Sequence, residues 1–102
     1  MMPLLAPASS RYSLPYELLD ASTAAEQLRT QLTTVHRVNA TAHAGDGVAV
    51  VLIENVTAWS DGEFWWWWSG RTRRDGRRVY ACCPAVNAAT AARLIVQHLT
   101  SR

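Results

Sequence analysis

The sequence predicts an α+β domain in which a four-stranded antiparallel meander carries an N-terminal and a C-terminal helix, both packed on one face. Three observations carry that expectation. Apolar residues recur at helical spacing near residues 24–35 and 88–99, the stretch between them alternates at the period of a strand, and Asp46-Gly47, Asp61-Gly62 and Asp75-Gly76 punctuate that stretch with hairpin turn signals. A length of 102 residues, with 49% apolar and 18% charged side chains, suits one compact domain and argues against global disorder.

The elements follow in chain order. Pro3, Pro7 and Pro15 interrupt regular structure in residues 1–15, which read as a tail that lies across the domain through Tyr12 and Leu14, with Tyr16 just beyond. The compact domain is expected over 16–102. Thr23 and Glu26 have the spacing of a capping box, and Ala24, Leu28, Leu32 and Val35 mark one side of a helix over 24–35. Val38, Ala40, Ala42 and Ala44 then alternate with Asn39, Thr41 and His43, a first strand of low propensity but correct period.

Residues 48–54, VAVVLIE, read as a central strand with both faces covered, and Val56 to Trp59 as its continuation past a bend. After the turn at 60–63, Phe64 to Trp68 form an aromatic strand and Arg77 to Cys83 the last one. Pro84 ends that strand, and Asn87 is placed to cap a helix over 88–99 whose buried side is Ala91, Leu94, Ile95, His98 and Leu99. Over about residues 24–99 this order resembles the double-stranded-RNA-binding domain. That family has a three-stranded sheet and a basic start to its last helix, whereas four strands and Asn87-Ala88-Ala89-Thr90 are read here, so no residue role is carried over.

Several function classes are disfavoured. No apolar run approaches the roughly 18 residues of a membrane span, and Met1 to Ala8 lacks the basic start of a secretory signal. Cys82 and Cys83 are adjacent, so their side chains diverge on a strand; this is no disulfide framework and points to a cytoplasmic protein. His36, His43 and His98 match no zinc spacing with those cysteines, and no phosphate-loop, dinucleotide or nucleophile-elbow pattern occurs, so neither metal nor cofactor is expected. Asp46, Asp61 and Asp75 sit in separate turns rather than as a catalytic pair. A small enzyme would need His43, His98 or a carboxylate to converge in space; a non-catalytic binding protein is the favoured reading.

Charge supports that reading. Residues 1–63 hold three arginines against seven carboxylates, a net −4, whereas residues 64–102 hold seven arginines against Asp75 alone, a net +6. All ten basic residues are arginine, the side chain suited to bidentate phosphate contacts, although a coding bias towards arginine gives the same count. Such an arrangement steers anionic ligands to the C-terminal half or favours head-to-tail association.

The candidate site lies where the aromatic strand meets the arginine-rich loop. Strand alternation puts Phe64, Trp66 and Trp68 on one face and Trp65 and Trp67 on the other. Arg71, Arg73, Arg74, Arg77 and Arg78 are candidates for phosphate contacts, and Trp65 or Trp67 for base stacking, with Trp66 and Trp68 exchanging roles if the facing is reversed. The binding protein is expected to be a homodimer, and its ligand is single-stranded or double-stranded nucleic acid. In the alternative reading Trp65, Trp66, Trp67 and Trp68 form a homodimer interface of a structural or regulatory module, and the arginines stay solvated or meet an acidic protein.

Overall fold

Asp20 opens the first helix in the computed structural model, which describes residues 19–100. Its carboxylate accepts hydrogen bonds from the backbone N–H groups of Ser22 and Thr23, the donors that a helix start leaves unpaired, so α1 spans Ala21–Thr30. The cap thus lies three residues before the expected Thr23. Glu26 instead pairs with Arg29 along the exposed face. Past Thr30 the chain widens into a π-helical turn, Gln31–Val35, closed by the bond from His36 N–H to the Gln31 carbonyl. Leu32 stays in the core. Val35, expected beside it at α-helical spacing, is turned out to solvent because the wider turn advances each residue through a smaller angle.

Five strands follow rather than four: β1 (Thr41–Gly45), β2 (Val48–Ile53), β3 (Val56–Ser60), β4 (Phe64–Thr72) and β5 (Arg78–Pro84). They form one antiparallel sheet in the order β1-β2-β3-β4-β5. The additional strand arises from a turn at Glu54-Asn55. This pair makes a two-residue turn, with Glu54 in the left-handed region at φ 53°, and Ile53 pairs back with Val56. Val56 to Ser60 is therefore a strand of its own and not an extension of β2. The turns at Asp46-Gly47, Asp61-Gly62 and Asp75-Gly76 join the other neighbours as expected.

Helix α2 (Ala88–Thr100) follows Asn87, whose carbonyl accepts the first helical bond from Ala91. Helix α1 packs over β1, β2 and β3, while α2 packs against β5 and touches α1, so both helices lie on one face of the sheet. The residues beneath them are largely small, with Ala24, Ala25, Ala91 and Ala92 of the helices meeting Ala49 and Ala58 of the strands. Leu28, Leu32, Val51, Ile53 and Ile95 supply the larger aliphatic volume.

The two largest core side chains come from β4. Trp65 and Trp67 point under the helices and are 0% and 2% exposed. Each is flanked across the sheet by small residues: Ser60 and Cys83 pair with Trp65, Ala58 and Ala81 with Trp67. That arrangement leaves room for indole rings in a thin layer. Burying one removes about 150–250 Å² from water, an upper estimate of about 4–6 kcal/mol at roughly 25 cal/mol per Å². The tail expected at residues 1–15, with Tyr12, Leu14 and the neighbouring Tyr16, lies outside the described residues.

Candidate functional site

Because Trp65 and Trp67 take the inner positions, alternation sends Phe64, Trp66 and Trp68 to the outer face. Register extends this face across the sheet. Trp66 pairs with Trp59 on β3 and with Cys82 on β5; Trp59 pairs with Val50, which pairs with His43. Trp68 pairs with Tyr80, and Leu52 with Thr57. The described helices lie on the opposite face, and Trp59, Trp68 and Tyr80 remain 41%, 38% and 51% exposed. Val48 and Leu52 are exposed as well, so β2 is covered on one face rather than on both as its apolar run suggested.

The outer rings are ordered among themselves. Trp59 and Trp66 stack at 4.5 Å between centroids with 27° between planes, and Phe64 tilts against Trp66 at 5.7 Å. The Trp68 indole N–H donates to the Arg71 carbonyl at 2.9 Å, which fixes the ring, and the Arg78 guanidinium carbon lies 4.5 Å from its centroid. Trp68 therefore joins the aromatic face to the arginine segment.

A bulge makes that junction. Trp68 pairs with Tyr80 and Arg71 with Val79, leaving Ser69 and Gly70 as extra residues in β4. The Ser69 hydroxyl donates to the Val79 carbonyl at 2.6 Å and accepts from the Arg71 N–H, so its polar capacity is used within the bulge. Gly70 has φ 89°, and a β-carbon there would come within 3.2 Å of the His98 ring. Beyond the bulge the loop is closed by bonds from Arg73 N–H to the Arg77 carbonyl and from Gly76 N–H to the Arg73 carbonyl. The Asp75 carboxylate accepts from the Arg77 N–H.

Arg71, Arg73, Arg74, Arg77 and Arg78 are all exposed. Among the described residues their one ion pair is Arg77 with Asp75, at 3.7 Å on the surface, and such a pair holds a guanidinium only weakly. The candidate phosphate-binding arginines are thus gathered at one end of the sheet. Of the candidate rings, Trp65 and Trp67 stand inside the core, while Trp66 and Trp68 face outward beside the loop. Sequence reasoning left Trp59, Tyr80 and Asn55 out of the site. The signal for Trp59 was present, since Val56, Ala58 and Ser60 alternate with Thr57 and Trp59, but it becomes readable only once β3 is a separate strand.

A cavity of about 650 Å³ opens where the outer face meets the basic end, lined by Asn55, Trp59, Trp68, Arg71, Arg78 and Tyr80 among others, with His98 of α2 on its border. His43 stands on β1, at the opposite edge of the sheet, so the two histidines are not brought together. Displaced titrations fall elsewhere: hydrogen bonds from the Ser22 and Thr23 side chains pull Asp20 down to about 2, and burial pushes the Cys83 thiol up. Among the described residues, no group of three or more His, Cys, Asp or Glu side chains is placed to hold a metal ion, and Cys82 and Cys83 are free thiols. No described helix is long and apolar enough to cross a membrane.

Fold and site together define a small α+β domain with helices on one sheet face and an aromatic cluster on the other. Comparisons with family profiles, curated proteins and solved structures find no match.

Proposed function

We propose that this chain is a non-catalytic binding module for single-stranded nucleic acid. The observation that carries the reading is the continuity of an outward-facing aromatic row, the exposed Trp59, Trp68 and Tyr80 with the half-buried Trp66, with an end of the sheet bearing five exposed arginines. Rings on an open sheet face offer stacking surfaces to unpaired bases, and guanidinium groups attract the phosphates between them. A duplex hides its base faces, so the rings favour a single strand. The Arg78 contact with Trp68 supports the same reading, since it holds a cation against the aromatic surface.

The test is binding of labelled single-stranded and double-stranded oligonucleotides to the purified chain across a salt series, with mass followed by light scattering. The expected result is saturable single-strand binding that weakens with salt and is stronger than duplex binding. Replacing Arg73, Arg74, Arg77 and Arg78 by alanine should weaken binding and leave the fold intact. Unchanged affinity in that folded variant overturns the reading.

A second occupant, another copy of this chain, is favoured by a different observation. The meander puts the Asp46 and Asp61 turns, with Glu63, at one end of the strands and the arginine loop at the other. Two outer faces laid together with their strands reversed would set each basic end against the other's acidic end, and would cover Val48 and Leu52 as well as the rings. A monomeric mass across micromolar concentrations rules out a stable dimer of this kind.

A further inference from the structure

We infer that the cavity at the basic end is a nucleotide-sized subsite, able to hold one nucleoside monophosphate without the rest of a strand. The inference rests on the single-strand reading and narrows it to a particular ligand unit. Its volume, about 650 Å³, falls in the range of small-molecule sites and is far less than several nucleotides would require. Its walls are of two kinds. Trp59, Trp68 and Tyr80 present ring surface, while Arg71, Arg78 and Asn55 present donors.

The parts suit a base with an attached phosphate. Trp68 is held by its indole bond to Arg71, so a base stacking there meets a ring already fixed in place. Arg78 lies over that ring and, among the described residues, neither Arg78 nor Arg71 has a carboxylate partner, so a phosphate oxygen can take the place that an acidic side chain occupies elsewhere. Asn55 belongs to the β2–β3 turn and carries both a donor and an acceptor, the complement of a base edge. The loop residues Arg73, Arg74 and Arg77 do not line the cavity. They serve the strand beyond it.

This division gives a test. Calorimetric titration of the whole chain with AMP, UMP, adenosine and inorganic phosphate should show saturable binding of a monophosphate, about tenfold or more tighter than adenosine or phosphate alone. R71A/R78A should remove that advantage. Y80L, which keeps an apolar side chain but no ring, should weaken the monophosphate by about tenfold. R73A/R74A/R77A should leave monophosphate affinity unchanged while weakening an oligonucleotide. Circular dichroism of each variant separates lost binding from lost fold. Oligonucleotide binding without monophosphate binding, or monophosphate binding indifferent to both R71A/R78A and Y80L, overturns the subsite and leaves the broader reading standing. Failure of every nucleic-acid ligand removes both.

Discussion

The triple substitution R73A/R74A/R77A tests the electrostatics of the candidate face in a quantity that folding effects do not imitate. Five arginines are exposed around the β4–β5 loop, and the Arg77–Asp75 pair is too long and too solvated to withhold one of them. If each meets one phosphate of a single strand, the slope of log affinity against log salt is about 0.7 per contact, or about −3.5 in total. Arg71 and Arg78 remain in the variant, giving a slope of about −1.4. Between about 50 and 200 mM salt the parent should lose about 100-fold in affinity and the variant only about 7-fold. Fluorescence anisotropy with a short labelled oligonucleotide measures both lines. Parallel lines mean that the loop arginines meet no phosphate, even if the variant binds more weakly.

Three further outcomes test other parts of the structure. Trp59→Ala removes half of the stacked pair on the outer face; by anisotropy it should lower single-strand affinity by about 5- to 150-fold, the equivalent of about 1–3 kcal/mol of stacking, and leave the salt slope unchanged. Gly62→Ala should destabilise far more than Gly76→Ala in urea denaturation. Both glycines have positive φ, but a β-carbon on Gly62 would lie 2.0 Å from the Leu19 carbonyl oxygen, whereas that on Gly76 meets open space. Asp20→Ala should lower the melting temperature at neutral pH, with the deficit narrowing as pH falls. The cap carboxylate is held down to about 2, below its ordinary 3.8, so its contribution is complete above about pH 4 and is lost as pH falls through 2. A deficit that stays constant from pH 7 to pH 2, by scanning calorimetry at about those limits, contradicts the assignment.

Much of this fold was legible because local chemistry and global position agree. The Asp-Gly pairs adopt turns readily, and the two apolar stripes locate both helices. The fifth strand was not legible because its turn uses Glu54-Asn55. A side chain other than glycine in the left-handed region costs about 1–2 kcal/mol, so local preference argues against a turn that the β2–β3 pairing imposes. The extra exposure of Val35 has a similar origin, since a π turn breaks the period from which its facing was inferred. Facing of the tryptophans was a parity without a sign. What fixes the sign is the size of the cross-strand neighbours: Ser60, Ala58, Ala81 and Cys83 leave space on the inner side, while Trp59 and Tyr80 crowd the outer one. That comparison requires the register of β3, and β3 was the missing strand.

The same register bears on which occupant the outer face takes. A nucleic-acid strand and a second copy both need Trp59, Trp66, Trp68 and Tyr80, and both draw on the arginine end, so they compete for one surface rather than combine. Salt weakens either association and does not separate them. Protein concentration does. Dimerisation through this face would withdraw rings from a nucleic-acid strand, so apparent affinity per chain would fall as the protein is concentrated, and added oligonucleotide would convert dimers into complexes containing one chain. If nucleic acid is the sole occupant, affinity per chain is independent of protein concentration and the mass without ligand stays monomeric. The exposed aliphatic row on β2 marks where the two occupants differ: Val48 and Leu52 gain burial from a second sheet but offer no stacking surface to a base. Replacing both by threonine should therefore weaken a dimer while leaving unchanged the single-strand affinity measured at protein concentrations low enough for the chain to be monomeric.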